Sequence, residues 1–152
     1  MTISIRPAGA EDIAAIGRLA EATDLFPAEM LGDMIAGYPN GLNPDLWFVA
    51  EEADVLGFGF CEPERMADGA WNLLAIGVSP DRQGQGIGAA MLGYLEAALT
   101  KAEARILIVE TLGTHDLQPT RDFYLKNGFD EEARIREFYE DGGDKVVFWK
   151  RI

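Results

Sequence analysis

The stretch IGVSPDRQGQGIGAAML, residues 76–92, decides how the rest of the chain is read. An apolar strand, LLAIGV, ends at Val78, and Pro80 and Asp81 then supply turn chemistry. Gly84, Gly86 and Gly88 alternate into a helix whose apolar residues Ile87, Met91, Leu95 and Leu99 recur once per turn along one face. The first turn of a helix carries backbone N–H groups without intrahelical partners. The macrodipole adds partial positive charge there. Glycines at that point remove the side chains that would hold an anion away from these donors. The stretch therefore reads as an anion cradle made of backbone. Glycine in a helical first turn costs helix stability, which counts against a glycine-rich turn with no ligand.

Working outward, residues 2–7 alternate as a first strand, with Ile3 and Ile5 on one face. Residues 10–22 read as a helix with Ile13, Ile16, Leu19 and Ala20 inward, and Glu11 and Asp12 suit its positive start. Pro27 opens a second helix with Met30, Leu31, Met34 and Ile35 on its apolar face, stopped by Pro39-Asn40-Gly41. Residues 46–51 and 55–61 form a hairpin around Ala53-Asp54. A polar connection, 62–69, leads to the strand 71–78, and the glycine turn and long helix run to about Lys101. The apolar run ILIV within 105–110 is expected to be a strand buried in the middle of a sheet. After a loop over 111–119, residues 120–126 form a short helix closed by Asn127-Gly128. Two last strands, 129–135 and 145–152, flank the turn Asp141-Gly142-Gly143-Asp144.

The chain has 152 residues, nearly half of them apolar, which suits one domain over 1–152 with a full core. Lysine and arginine total 13 against 26 acids, a net charge of −13, which argues against nucleic acid or an anionic membrane as partner. Cys61 and His115 are each the only residue of their kind, so neither an intrachain disulfide nor a Cys/His metal cluster is expected. MTISIRPAG alternates like a strand, unlike a signal peptide or membrane span, and a cytoplasmic location is the expectation.

Other glycine motifs compete for residues 84–89. A P-loop ends in Gly-Lys-Ser/Thr, and no such run is present. The dinucleotide fingerprint G-x-G-x-x-G/A is matched literally by Gly84, Gly86 and Ala89, with Glu110 ending the next strand as a ribose-binding acid would. That fingerprint follows its strand almost directly, whereas Ser79 to Gln83 intervene here. The pattern Q-x-x-G-x-G after a V-x-P turn, here Gln83, Gly84, Gln85, Gly86, Ile87 and Gly88 after Val78 and Pro80, resembles the GNAT superfamily of acyl-CoA-dependent N-acyltransferases. The element order β-α-α-β-β-β-α-β-α-β-β extends the resemblance over the whole chain. FYLKNGF, with Phe123, Tyr124, Gly128 and Phe129, matches a helix common in that family. One departure is Leu117, where many members have an asparagine that contacts the cofactor.

The resemblance implies a mixed α/β fold. Its sheet is twisted and mostly antiparallel, of about seven strands splayed between the fourth and fifth, with helices on both faces. It implies acetyl-CoA as cosubstrate, no metal, and a primary amine of a small molecule or protein as acceptor. The pyrophosphate of coenzyme A would lie on the backbone of Gln83, Gly84, Gln85, Gly86, Ile87, Gly88 and Ala89, and the pantetheine arm along Ile76, Gly77 and Val78. The developing oxyanion would meet a backbone N–H near Ile76. A lysine-like amine has a pKa of about 10.4, so deprotonation near pH 7 costs roughly 4–5 kcal/mol. A base or a water chain must carry that proton away. The fourth strand offers Asn72 where some members carry a carboxylate, which leaves Glu62 and Glu110 as candidates. Tyr124 is expected to protonate the departing thiolate. By resemblance the acceptor lies against residues 22–39 and 62–69, where Phe26, Met30 and Tyr38 line a pocket or belong to the core. Family habit and the aromatic run Phe138, Tyr139, Phe148 and Trp149 point to a homodimer. The alternatives are a non-catalytic acyl-CoA-binding module and a dinucleotide-dependent oxidoreductase.

Overall fold

Apolar periodicity divides the chain into the expected alternation of strands and helices. The computed structural model describes residues 2–152; Met1, first letter of the alternating N-terminus, lies outside them. In chain order the elements are β1 (Ser4–Pro7), α1 (Ile13–Ala22), α2 (Leu31–Ile35), β2 (Leu46–Glu52), β3 (Asp54–Pro63), β4 (Ala70–Val78), α3 (Ile87–Lys101), β5 (Ile106–Leu112), α4 (Gln118–Lys126), β6 (Asp130–Glu140) and β7 (Gly143–Arg151). Seven strands make one sheet in the order β1-β2-β3-β4-β5-β7-β6. The pairs β1–β2, β2–β3, β5–β7 and β6–β7 are antiparallel, and β4–β5 is parallel. A parallel pair needs a long crossover, which α3 provides.

The residues group into two compact units, one comprising the chain up to Pro63 with Leu74–Ala98, the other Glu64–Leu73 with Leu99–Ile152. In the first unit the alternation Gly57-Phe58-Gly59-Phe60 on β3 sorts the two faces of the sheet. A Cβ on Gly59 would fall 2.2 Å from Cζ of Phe48, its cross-strand partner, and one on Gly57 would fall 3.0 Å from Met91 Sδ. These glycines let the Phe48 ring lie over β3 and let α3 approach. Phe58 and Phe60 point to the other face and join Ile16, Leu19, Leu31, Ile35, Trp47 and Val49 in the core, with Trp47 stacked on Phe60 at 4.1 Å. The α3 residues Ile87, Met91 and Leu95 of this unit are buried, as is Leu99 of the second, as their spacing predicts. Each such side chain contributes about 1.5–3 kcal/mol.

The helix expected over 10–22 is a 3-10 turn, Ala10–Asp12, followed by α1. Asp12 is the reason. Its buried carboxylate accepts Arg6 Nη1 and Nη2 at 2.8 and 2.9 Å and the Gly9 N–H at 2.8 Å. Arg6 Nε also donates to Glu51 at 2.9 Å, so one guanidinium ties β1, the start of α1 and β2 together. Met30, expected on an apolar helix face, is exposed. It ends the 3-10 turn Ala28–Met30, and only Leu31 and Ile35 of the short α2 are buried.

In the second unit β5 is buried on one face only. Leu107, Val109 and Thr111 are covered, while Ile106, Ile108 and Glu110 are half-buried. The apolar run ILIV does not fix both faces, because the half-open one also carries Glu110 and, on β7, Lys145. The loop expected over 111–119 is shorter. β5 reaches Leu112, a 3-10 turn spans His115–Leu117, and α4 opens at Gln118 with Pro119 in its first turn. Buried Arg121 links these pieces by donating to the carbonyls of Leu112 and Thr114 at 2.9 and 2.8 Å. β6 runs on to Glu140, past the expected end at Ile135. Its register shifts between Ile135 and Glu140, Glu137 takes φ +58, and Asp144 holds the bulge by accepting the Glu137 N–H and Arg134 Nη1, both at 3.0 Å. All of β6 is exposed, whereas Phe148, counted in the aromatic run, is fully buried.

Hydrogen bonds to the Arg6 guanidinium hold the Asp12 carboxyl below the usual carboxylate range. A depressed pKa contributes stability above the unfolded value, about 3.9, and loses it as pH falls through the folded value. Asp12→Asn should therefore cost about 1.5–3 kcal/mol at pH 7. In urea melts the gap from the parent protein should close as the pH drops below the unfolded value. A gap independent of pH would contradict the charge-based account.

Candidate active site

Strand β4 delivers the chain to the glycine stretch. Its parallel pairing with β5 runs from Ala70↔Ile106 to Leu73↔Val109, and β4 continues to Val78. The Ser79 N–H donates to the Leu56 carbonyl at 2.8 Å, so the strand end is anchored to β3. Ile76 and Val78 are half-buried and Gly77 is buried. A Cβ on Gly77 would meet Leu25 Cδ1 at 3.0 Å and Thr23 Oγ1 at 3.2 Å, so glycine lets the end of α1 lie against the strand.

A 3-10 turn, Pro80–Arg82, then reverses the chain, and three side chains fix the loop that follows. Gln83 Nε2 donates back to the Val78 carbonyl at 3.0 Å. Arg82 Nε donates to Gln85 Oε1 at 3.1 Å, and Arg82 Nη2 lies 3.3 Å from Glu52 Oε1 on β2. The Ser79 hydroxyl donates to Asp81 at 2.6 Å. Gly84 and Gly86 sit at φ +77 and +82, in the left-handed region that other L-residues adopt only at a cost of about 1–2 kcal/mol. A Cβ on either would meet nothing within 4 Å among the described residues. These glycines are thus required by backbone conformation, and the space above them is open. The Ala90 N–H bonds the Gly86 carbonyl at 3.1 Å. The preceding N–H groups of Ile87, Gly88 and Ala89 have no in-helix acceptor by helix geometry. A loop stiffened from below and bare on top, leading into an α-helix, fits an anionic diphosphate.

Tyr124 is on the buried side of α4. Its ring lies 5.3 Å from that of Phe123 and 5.5 Å from those of Phe129 and Phe148. Burial pushes its phenol well above the ordinary value, so it stays protonated throughout the neutral range. The helix ends as the Asn127-Gly128 pair predicts. Gly128 takes φ +90, and the Phe129 N–H reaches back to the Tyr124 carbonyl at 3.1 Å.

The two carboxylates singled out from the sequence differ. Glu110 stands within β5, not at its end, and its Oε2 is 3.0 Å from Lys145 Nζ. That ammonium lies 3.9 Å from the centre of the Phe138 ring, so Glu110, Lys145 and Phe138 form one group. Glu62 is half-buried near the end of β3, where its charge adds to burial in pushing the Cys61 thiol up. Sequence reasoning missed Glu64. Its carboxylate accepts Asn72 Nδ2 at 3.0 Å across the β3–β4 turn, and the Glu64 N–H donates to the Ala70 carbonyl at 2.8 Å. The Asp68-Gly69 turn between them was the available signal. Of the pocket candidates, Tyr38 donates its hydroxyl to the carbonyls of Ala8 and Trp47 at 2.8 and 3.1 Å, and Phe26 packs edge-on against Phe58. Both are partly buried and pack against the core of the first unit.

The Acetyltransferase (GNAT) domain model matches residues 43–131, more than half of the chain, and the chain belongs to that family of acetyltransferases. A crystal structure from Desulfovibrio desulfuricans assigned to the GNAT family superposes with a TM-score of 0.89 at 27% identity, covering 99% of each chain. The ribosomal-protein-S18-alanine N-acetyltransferase of Escherichia coli superposes with a TM-score of 0.82 at 20% identity, over 99% of this chain and 94% of that one. The yncA protein of Salmonella typhimurium, solved with its cofactor acetyl-CoA, gives 0.82 at 18% identity over the same shares. No curated protein matches the chain in sequence. The family and the mostly antiparallel sheet exclude the dinucleotide reading of Gly84, Gly86 and Ala89, whose fingerprint belongs to a parallel doubly wound sheet.

Proposed function

We propose that the protein transfers the acetyl group of acetyl-CoA to a primary amine by direct attack of the amine on the thioester. The acceptor is a small molecule or a protein amino group. The observation that carries this reading is the loop of residues 83–89, with Gly84 and Gly86 left-handed and unobstructed at the start of α3. Backbone N–H groups of Gln83, Gly84, Gln85, Gly86, Ile87, Gly88 and Ala89 would hold the pyrophosphate, and the Gln83 side chain serves to close the turn. Ile76, Gly77 and Val78 would pair with the pantetheine arm, in line with the continuation of β4 beyond its register with β5. When bound, acetyl-CoA supplies an activated acyl group with a thiolate leaving group.

Tyr124 is our choice of proton donor to that thiolate. A buried phenol donates a hydrogen bond readily but gives up its proton reluctantly, so it acts chiefly by stabilising charge on sulfur as the bond breaks. We also read the chain as a homodimer formed through its C-terminal strands. Ile135, Phe138 and Tyr139, each about half exposed on β6, are the apolar residues available for it. A solution mass measured by light scattering should be twice the chain mass, and a monomer at working concentration would refute the pairing.

Acetyl-CoA binding to Gly86→Asn and Gly86→Asp separates charge from backbone strain. Both residues tolerate the left-handed region better than other side chains, so their strain is matched. The aspartate variant should bind acetyl-CoA at least about a hundredfold more weakly than the asparagine variant, by repulsion of the diphosphate. Gly93→Asp, on the open face of α3, should bind like the parent. Equal affinities for the two Gly86 variants would remove the pyrophosphate from this loop. Steady-state kinetics of Tyr124→Phe, which keeps the packed ring, should show kcat reduced more than the acetyl-CoA KM is raised. General acid catalysis is worth about a hundredfold or more, and a thiolate leaves well unaided, so the loss belongs at the low end. A fully active variant would leave water as the proton donor.

A further inference from the structure

Acetyl transfer needs somewhere for the acceptor's proton to go, and the second unit offers a carboxylate that the sequence did not single out. Glu110 has the Lys145 ammonium on its Oε2. Glu64 receives a neutral amide from Asn72, and among the described residues no lysine or arginine forms an ion pair with it. The hydrogen bond also fixes which way the Asn72 amide points. An ionised carboxylate only accepts, so Asn72 must present its NH2 to Glu64 and turn its oxygen away. Asn72 is 5% exposed, and among the described residues its Oδ1 has no hydrogen-bond donor. A buried carbonyl oxygen left without a donor is costly and marks a place for water or a ligand.

Its position in the sheet bears on the reaction. Asn72 lies opposite Ile108 and immediately before Leu73, the last β4 residue in register with β5. Glu110 follows Ile108 by two residues, on the same face of β5. Glu64, Asn72 and Glu110 therefore belong to one polar row where β4 leaves β5. Of the other charged groups in this unit, Arg65 and Asp68 share the loop of Glu64, Arg105 bonds the Asp68 carbonyl, and Lys145 on β7 pairs with Glu110.

We propose that Glu64 is the proton acceptor for the incoming amine, reached through a water molecule seated on Asn72 Oδ1. The acceptor's ammonium group gives one proton to the water. The water passes one of its own to a Glu64 carboxylate oxygen. The products are a neutral amine, free to attack, and a protonated Glu64, with the water restored. Asn72 is the positioning residue, since it holds both the carboxylate and the water. This assignment rests on the acetyl-transfer reading given above.

The test uses the whole chain, methylamine as acceptor, and release of coenzyme A thiol as readout, followed from pH 6 to 10. Glu64→Gln keeps an oxygen that accepts Asn72 Nδ2–H, so the hydrogen bond survives while the proton acceptor is lost. At pH 7 its kcat/KM for methylamine should fall about a hundredfold. The deficit should shrink as rising pH deprotonates the amine without help. Melting temperature and acetyl-CoA affinity should stay at the parent values. The double variant Glu64→Gln with Asn72→Asp exchanges amide and carboxylate across the same hydrogen bond, and should recover at least about tenfold of the loss. Parent-like activity of Glu64→Gln at pH 7, a deficit that does not change with pH, or a folded double variant without recovery would each overturn the assignment. So would a parent protein that binds acetyl-CoA but leaves methylamine untouched. A parent protein that does not bind acetyl-CoA would overturn the acetyl-transfer reading itself, and this assignment with it.

Discussion

The structure around the glycine stretch depends on one constraint: the first turn of α3 must expose its N–H groups while the rest of the helix is buried. Ile87, Met91, Leu95 and Leu99 sink one face of α3, and Gly57 clears the way for Met91 on β3. Burial fixes the helix axis and so fixes where its unpaired donors point. The loop before it is held from beneath, by Gln83 on the Val78 carbonyl and Arg82 on Glu52. Its upper side is left to glycine in a conformation other residues resist. The proposed binding of a diphosphate would use these donors without reorganisation of the loop.

The second unit is organised by a different balance. Its closed face is aromatic, with Tyr124, Phe129 and Phe148 packed together. Its half-open face carries carboxylates, each with a particular partner: Glu110 with Lys145, Glu64 with Asn72. The phenol on the closed side stays protonated.

Much of this was legible in the sequence where the signal is local. The once-per-turn apolar spacing of α3, the glycine alternation before it and the Asn127-Gly128 stop each carry their geometry within a few residues. What was not legible depends on contacts distant in sequence. Arg6 meets Glu51 only once β1 and β2 pair, and that network splits the first helix. Asp144 lengthens β6 by bridging a bulge that no local propensity announces. ILIV promised a buried central strand, and β5 does lie inside the sheet between β4 and β7, but apolar composition does not say how fully its second face is covered. Glu64 read as loop polarity because its partner lies on the far side of a turn.

The most direct measurement of the central claim is a titration of 15N-labelled protein with coenzyme A, read at the backbone amides. A diphosphate held by unpaired helix N–H groups should move the amide protons of residues 84–89 downfield, more than those of any other segment, with a common saturation midpoint. Saturable binding that leaves those amides in place, with the largest shifts elsewhere, would contradict the account.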